Sequence, residues 1–332
     1  MAGRYAQRMM ILSILLIGAA LLAVAWFSRH KWLQRTALPV LSAEQAALAT
    51  RLQGHVTMLG QSIGERNLWH HAELDAAADY IEAQFRAAGL RVERQEYLAE
   101  GKRVGNLVAE IPGAEYPEQI LLVGAHYDSV LGSPGANDNG SGVAALLELA
   151  RQLADSRPKR TLHLVAFVNE EPPFFKSVDM GSRIYAEQAR GKRDKIVGMI
   201  CLETIGYYIQ EPGSQNFPFL PMVIYYPDEG NFIAFVTNLS SRRLLKKSLA
   251  EFRKQSDFPA EGLVAPGWLP GVDWSDHWSF WRVGYPAIMI TDTAPYRYPY
   301  YHSWEDTPDK LSYPEFAQVV EGVVGMVRGL TN

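Results

Sequence analysis

The sequence predicts an α/β domain with a mostly parallel mixed sheet and helices on both of its faces. Short apolar segments typical of strands alternate along the chain with segments whose apolar residues recur at helical spacing. The strand segments are apolar almost throughout, which indicates strands that are covered on both sides. This alternation is typical of a sheet with helices packed against each face.

The first predicted helix covers 74–88, where apolar residues repeat at helical spacing and Gly89 favours a helix end. A strand-like segment, LRVERQEYL, follows it. The next elements are strands VGNLVAEI and QILLVGAH, helix GVAALLELARQLA, strand TLHLVAFV, a helix near 181–189 and strand IVGMICLE. We expect these strands to form the centre of the sheet.

Segment 207–274 interrupts the alternation with proline and aromatic residues, including FPFLP and YYPDEG. We interpret it as an insertion of loops and a helix within a single domain that spans 36–332. After it, the sequence predicts a short helix over 276–283 capped by Asp276, a strand PAIMITD, an aromatic loop and a last helix over 314–330.

Composition and charge exclude some classes of protein. The chain has 332 residues with 32 basic and 36 acidic side chains, a formal net charge of -4. Because there is no basic excess, we expect no nucleic-acid partner. Cys201 is the only cysteine, so neither an intramolecular disulfide nor a thiolate metal site can form. Nothing in the composition predicts the oligomeric state.

The N-terminal segment 1–35 is predicted to hold a membrane anchor. Residues 9–27, MMILSILLIGAALLAVAWF, carry no charge and approach the ~20 residues that a helix needs to cross a bilayer. The alternative is a cleaved signal peptide, with Arg4 and Arg8 before the run and Ala23-Val24-Ala25 as the cleavage site. We favour a single-pass anchor with the domain on the extracytoplasmic side, periplasmic or extracellular; cleavage would instead give a secreted protein.

Side chains that can bind metal follow the strands. They are imidazoles and carboxylates, and they stand at three strand ends and in two loops: His126, Asp128, Asp138, Glu170, Glu171, Glu203 and His302. The carboxyl ends of parallel strands meet at one edge of a sheet, so these side chains are expected to converge. Imidazole and carboxylate donors without thiolates suit zinc or another divalent transition metal.

Six ordered motifs carry a resemblance to a known family: GAHYDS, GANDNGSG, FVNEEPPFF with a following MGS, CLETIGYY, SDHWSF and YYHSWEDTPDKL. From about residue 67 to 330 the chain resembles the zinc aminopeptidases of metallopeptidase family 28, which include aminopeptidase Y-like enzymes and glutamate carboxypeptidase-like relatives. The resemblance implies a zinc-exopeptidase fold of the phosphorylase/hydrolase-like type and two zinc ions per chain.

The resemblance also implies a role for each motif residue. His126, Asp138 and Glu203 would hold one zinc ion. Glu171 and His302 would hold the second, which shares Asp138 as a bridge. The two remaining positions match the family's general base, Glu170, and a tyrosine that stabilises the oxyanion in some members, Tyr301. Many members have aspartate at the position of Glu203, and the extra methylene changes the reach of this carboxylate.

Elementary geometry supports different roles for neighbouring residues. Adjacent residues at a strand end point to opposite sides, so Glu170 and Glu171 are expected to differ in function. His126 and Asp128 are two residues apart and share a face, so Asp128 can orient the imidazole. Two metal ions would polarise a scissile carbonyl and lower the pKa of water, whose proton Glu170 would accept.

The sequence therefore predicts a zinc-dependent exopeptidase that acts on peptides, specifically an aminopeptidase. One alternative is a glutaminyl cyclase-like acyltransferase, which shares the fold and the HYDS stretch but uses one zinc ion. The other is a membrane-tethered binding protein built on an inactive hydrolase. That last hypothesis predicts lost ligands, and none of the expected ligands is missing from the sequence.

Overall fold

The computed structural model describes residues 40–332, so the predicted anchor within 1–35 lies outside the described residues. Within the described part of the chain, no helix is both long and apolar enough to cross a membrane.

Eight strands form one mixed sheet in the described chain. They are β1 Arg91–Ala99, β2 Lys102–Ile111, β3 Tyr116–His126, β4 Arg160–Phe167, β5 Lys195–Glu203, β6 Ile233–Thr237, β7 Ala260–Val264 and β8 Ala287–Thr291. Their order in the sheet is β1-β2-β4-β3-β5-β8-β6-β7. The β4-β3-β5-β8 centre is parallel, as is the β6-β7 pair, while the remaining pairs are antiparallel. The predicted mostly parallel mixed sheet is confirmed.

Nine α-helices surround the sheet in the described chain. They are α1 Ala43–Thr57, α2 His71–Ala87, α3 Gly140–Leu153, α4 Gly181–Lys192, α5 Met222–Tyr225, α6 Arg242–Gln255, α7 His277–Arg282, α8 Ala294–Arg297 and α9 Tyr313–Thr331. A π-helix, Met58–Ile63, continues α1, and a 3-10 turn, Pro308–Lys310, precedes α9.

The sheet separates two hydrophobic cores. Alternate residues of β5 illustrate the division, since Ile200 and Leu202 belong to the larger core and Met199 and Cys201 to the smaller one. Helices α1, α2, α3, α6 and α9 contribute to the larger core, and α4 and α7 contribute to the smaller one. Both faces of the sheet are therefore covered by helices, as predicted.

Two sequence-based expectations need correction. The sequence predicts loops and a helix over 207–274, yet this segment also supplies β6 and β7 at the end of the sheet. Each of these strands has only five residues, too few for their pattern to stand out among aromatic neighbours. The prediction that Asp276 caps α7 is wrong, because its backbone is already helical (φ -51°, ψ -31°) and its side chain makes no capping hydrogen bond.

Candidate metal centre

The site lies where three adjacent parallel strands end. His126 is the last residue of β3, Glu203 is the last residue of β5, and Glu170 and Glu171 follow β4 by a few residues. Because β4, β3 and β5 are neighbours in the sheet, their carboxyl ends bring these side chains together. Loops before α3 and before α9 add Asp138 and His302.

Asp138 stands between the two imidazoles. Its Oδ1 is 3.3 Å from Nε2 of His126, and its Oδ2 is 3.1 Å from Nε2 of His302. Glu203 Oε2 lies 3.4 Å from His126 Nε2, and Glu171 Oε2 lies 3.4 Å from His302 Nε2. Each oxygen of Asp138 therefore faces an imidazole that in turn lies beside a glutamate.

The donor set fits a bound divalent cation. Ligand atoms of His126, Asp138 and Glu171 all lie within 4.8 Å of one another. Asp138 Oδ1 and Glu171 Oε1 are buried and accept no hydrogen bond from any described residue. Buried carboxylate oxygens without donors are unfavourable unless a cation compensates them. The orphaned oxygen atoms and the neighbouring imidazoles thus fit zinc or another divalent transition metal.

Repulsion among the buried carboxylates also favours a bound cation. Burial raises the pKa of Glu171 well above its usual range, and the neighbouring Asp138 carboxylate raises it further. Burial likewise raises the pKa of Glu170, and the nearby Glu203 carboxylate raises it further. Burial alone would lower the pKa of His126, but the Glu203 and Glu170 carboxylates outweigh it and raise that pKa well above its usual value. A cation would relieve this repulsion and keep the carboxylates ionised.

Asp128 holds the two glutamates rather than only the imidazole. Its Oδ1 accepts the backbone N–H of Glu170 and its Oδ2 accepts that of Glu171, each at 3.1 Å. The side chain is 3.6 Å from Nδ1 of His126, whereas the Asp128 carbonyl oxygen is 3.1 Å from the same nitrogen. The predicted orientation of the imidazole therefore involves the backbone of Asp128, and its carboxylate sets the path of the Glu170–Glu171 segment.

The loop that carries Asp138 is held by a residue that sequence reasoning did not single out. Asp306 accepts the backbone N–H groups of Asn137 at 2.8 Å and Asp138 at 3.0 Å, and the Tyr298 hydroxyl at 2.7 Å. Gly135 gives this loop its turn, with φ of +61° and no space for a side chain. Asp306 lies four residues after His302 and so joins the two ligand loops.

Glu203 also has a supporting contact that was missed. Ser275 Oγ donates to Glu203 Oε2 at 2.6 Å and lies 3.0 Å from Cys201 Sγ. Ser275 belongs to the SDHWSF motif, which was the available signal in the sequence. This contact fixes one oxygen of the longer glutamate side chain.

Tyr301 lies beside the site and not within the ligand cluster. Its ring stacks on His302, with ring centroids 3.9 Å apart and an interplanar angle of 19°. Burial, together with the Asp138 and Glu171 carboxylates, raises the pKa of Tyr301 well above its usual value. The hydroxyl therefore stays protonated at neutral pH and can donate a hydrogen bond.

An apolar pocket of about 780 Å³, including its open mouth, adjoins the site. Glu203 and Tyr301 line it on the side of the metal ligands. Much of the remaining wall comes from 207–274, with apolar and aromatic side chains that include Phe217, Met222, Tyr226, Phe232, Val272 and Trp274. Segment 207–274 therefore builds a binding surface next to the ligand cluster.

Comparison with known proteins identifies the family. The sequence pattern of Peptidase family M28 matches residues 106–327. The uncharacterized protein YfbL of Escherichia coli (strain K12) is 40% identical over 299 residues, which cover 88% of this chain and 90% of that protein. A probable zinc metalloprotease of Leptosphaeria maculans is 28% identical over 216 residues, 57% of this chain and 47% of its own length.

Solved structures share the fold at low sequence identity. The LapA aminopeptidase of Legionella pneumophila has a TM-score of 0.67 at 18% identity, covering 91% of this chain and 78% of that one. The zinc aminopeptidase BSAP of Bacillus subtilis also has 0.67, at 17% identity, with 84% and 94% covered. A glutaminyl cyclase of Tannerella forsythia has 0.62 at 20% identity, with 84% and 98% covered.

The family match contains every segment of the site, from His126 to His302. It also covers well over half of the 332 residues. The chain therefore belongs to peptidase family M28.

Proposed function

We propose that the chain is a two-zinc aminopeptidase that hydrolyses the N-terminal peptide bond of peptides. The observation that carries this proposal is the position of Asp138, which has an imidazole–glutamate pair beside each of its carboxylate oxygens. His126 and Glu203 would hold one zinc ion, Glu171 and His302 the other, and Asp138 would bridge them. When bound, the two ions would supply Lewis acidity that polarises the scissile carbonyl and lowers the pKa of water.

Glu170 is the proposed general base. Its carboxylate faces the His126 side of the cluster, with Oε2 3.9 Å from His126 Nε2. Its carboxylate oxygens form no hydrogen bond with any described residue, so they are available to accept a proton. Glu170 would accept a proton from the attacking water and pass it to the leaving amine. The protonated hydroxyl of Tyr301 would donate to the developing oxyanion.

The neighbouring pocket supports a substrate class. Its walls are mostly apolar and aromatic, and it opens beside Glu203 and Tyr301. A large apolar side chain of the first substrate residue would be buried there, which is worth about 1.5–3 kcal/mol. The surrounding carboxylates are complementary to the free ammonium group of a peptide N-terminus. We therefore propose peptides with an apolar first residue as substrates.

Matched peptides test this function. The full-length, zinc-loaded protein is incubated with a leucyl peptide, its N-acetylated form and the same peptide with N-terminal glutamate, and products are identified by mass spectrometry. The proposal expects release of free leucine, no cleavage of the acetylated form and slow release of glutamate. Cleavage within the acetylated peptide would overturn exopeptidase action.

A glutaminyl peptide in the same assay separates the alternatives. Loss of ammonia without shortening of the peptide would assign the site to glutaminyl cyclisation. The structural similarity to a glutaminyl cyclase motivates this comparison. A protein that binds zinc but converts none of the peptides would instead support the inactive binding protein.

We also propose that the N-terminal run anchors the protein, with the peptidase domain on the extracytoplasmic side. The uncharged residues 9–27 support this proposal. Alkaline carbonate extraction should leave the full-length protein in the membrane fraction. A mature N-terminus near Trp26 would show instead that the run is a cleaved signal peptide and the protein is secreted.

A further inference from the structure

Helix α6 (Arg242–Gln255) presents a strongly basic face to solvent. Its buried side is apolar at Leu245 and Phe252. Its exposed side carries six cationic side chains, which we call the α6 basic face: Arg242, Arg243, Lys246, Lys247, Arg253 and Lys254.

Helix geometry places these cations on one stripe. At about 100° per residue, all six fall within an arc of about 140°, and from Arg242 to Lys254 the stripe runs about 18 Å along the helix. Ala250 lies near the middle of the same arc and is exposed. The face is therefore a continuous cationic stripe along one side of the helix.

Most of this charge has no counterpart among residues 40–332. Lys254 pairs with Glu251 at 2.8 Å, and Arg253 donates to the Ala260 carbonyl oxygen. Within residues 40–332, none of the other four cations forms an ion pair. The whole chain carries a formal charge of -4, so this local positive charge is opposite in sign to the molecule.

The basic face lies in the same helix layer as the start of α1. Helix α9 packs against both α1 and α6. In the first turn of α1, Gln45 Nε2 donates to Glu321 Oε2 of α9 at 2.7 Å. The next residue of α9, Gly322, lies with its backbone against the Phe252 ring of α6. The described chain thus begins about two helix spacings from α6, roughly 20 Å.

We propose that the α6 basic face binds an anionic lipid surface. This inference rests on the proposed membrane attachment through residues 9–27. Residues 28–39 can span at most about 40 Å when extended, which exceeds the distance from the start of α1 to α6. Cationic side chains close to an anionic membrane surface each add to the attraction, within about one Debye length.

This orientation has a consequence for substrate access. The α6 residues Leu245 and Phe252 belong to the larger core. The pocket is lined by Ala234 and Val236, which belong to the smaller core on the other side of the sheet. With α6 on the lipid, the pocket stands on the side of the sheet away from the bilayer and receives peptides from the aqueous phase.

A fluorescent probe at the centre of the face tests the contact. Ala250→Cys introduces an exposed thiol, while the native Cys201 is fully buried and stays unlabelled. The labelled full-length protein is reconstituted into phosphatidylcholine vesicles with and without phosphatidylglycerol, each containing a quencher attached to the lipid headgroup. We expect strong quenching only with phosphatidylglycerol, and loss of that quenching at high salt.

Charge variants make the test specific. Replacing Arg242, Arg243, Lys246 and Lys247 by Gln should reduce quenching to the level of neutral vesicles while leaving peptidase activity unchanged. The matched control replaces four exposed cations outside the face, Arg190, Lys192, Arg193 and Lys195, and should quench like the parent. Equal quenching in both lipids, or quenching that survives the four α6 substitutions, would overturn the proposal.

Vesicle flotation separates the two proposals. Protein that floats with both lipids but shows no quenching retains the anchor and refutes the basic-face contact. Protein that floats only with anionic vesicles, and only with the basic face intact, refutes the anchor but supports the contact. Protein that floats with neither refutes both. If the face instead retains duplex DNA at physiological salt and never responds to lipid, it is a nucleic-acid surface and the proposal fails.

Discussion

Glu170 and Glu171 are adjacent in the sequence but face different parts of the site. Glu171 Oε2 is 3.4 Å from His302, whereas Glu170 Oε2 is 3.9 Å from His126. Asp128 fixes this division by accepting the backbone N–H of each. Charge and position in the sequence do not distinguish the two residues, but their surroundings do.

Glutamine variants test that division. Glu170→Gln removes the proton acceptor but no proposed ligand, so zinc content should stay near wild type while kcat falls about 10²- to 10⁴-fold. Glu171→Gln weakens a charged ligand, so zinc content and activity should fall together and excess zinc should partly restore activity. If Glu170→Gln loses zinc and Glu171→Gln keeps it, the two assignments are reversed.

Asp306 should matter for zinc affinity without touching zinc. Asp306→Asn replaces one of the two oxygens that accept the Asn137 and Asp138 N–H groups, so the bridging loop loses a contact. We expect a loss of about 1–3 kcal/mol in stability and a fall of roughly 10- to 100-fold in zinc affinity. Thermal unfolding measures the loss of stability, and zinc titration against a competing chelator measures the fall in affinity.

Tyr298→Phe is the matched control for Asp306. It removes the hydroxyl that donates to Asp306 and leaves both backbone contacts in place. Zinc affinity should therefore stay close to wild type. If the Asp306→Asn protein binds zinc as tightly as this control, Asp306 does not support zinc binding.

The sequence was more informative about the proposed ligands than about the residues that support them. Residue type and position at a strand end were enough to single out His126, Glu203 and the Glu170–Glu171 pair as candidates, because parallel strands end at one edge. Asp306 and Ser275 act through a particular backbone N–H or carboxylate oxygen in reach. Such contacts depend on loop conformation, which periodicity and composition do not specify.

At the scale of elements, most helices and strands were predicted and a few were missed. The last helix, predicted over 314–330, forms Tyr313–Thr331. Strands β6 and β7 have five residues each and were missed because they lie among proline and aromatic residues, whereas the equally short β8 is a clear apolar run. Helix α1 was also not predicted, although Ser42 and Gln45 form a capping box at its start.

A buried carboxylate ties α1 to the rest of the fold. Glu148 of α3 is fully buried and accepts hydrogen bonds from Arg51 of α1 at 2.9 Å and Arg151 at 3.0 Å. Burial alone would raise the pKa of Glu148, but hydrogen bonds with His55, Arg51 and Arg151 outweigh it and lower that pKa from 4.5 to about 2. The ionised form is therefore stabilised by folding.

Glu148→Gln should lower the free energy of unfolding at pH 7 by about 2 kcal/mol. The contribution of the ionised carboxylate is complete above about pH 4.5 and is lost as pH falls through about 2. The stability difference between the two proteins should therefore shrink over that range, as measured by urea unfolding at each pH. Glu118→Gln breaks an exposed pair with Lys195 and should leave the free energy of unfolding close to that of the wild type. A pH-independent difference for Glu148→Gln would contradict the assigned pKa.

At the scale of the whole molecule, the site joins segments that are far apart in sequence. The proposed ligands run from His126 to His302 and come from three strand ends and two loops. The predicted strands indicated that these side chains would lie close together, because the sheet is parallel there. The pocket could not be derived in the same way, because much of its wall comes from 207–274, where the fold departs from simple strand–helix alternation.

Metal removal should destabilise the entire domain. A cation that binds the folded but not the unfolded chain adds about 4 kcal/mol at a thousandfold excess over its Kd. Chelation should therefore lower the Tm of the full-length protein, and zinc should restore both Tm and activity, while magnesium should not. An unchanged Tm after verified metal loss would show that the ligand segments hold their arrangement without zinc.

Zinc stoichiometry tests the central claim most directly. Elemental analysis of the full-length protein, equilibrated with buffered zinc, should give about two zinc ions per chain in the wild type. Asp138→Ala should lose both ions at the same free zinc concentration, because the bridging carboxylate serves each of them. One zinc ion in the wild-type protein, or two in Asp138→Ala, would contradict a two-metal centre bridged by Asp138.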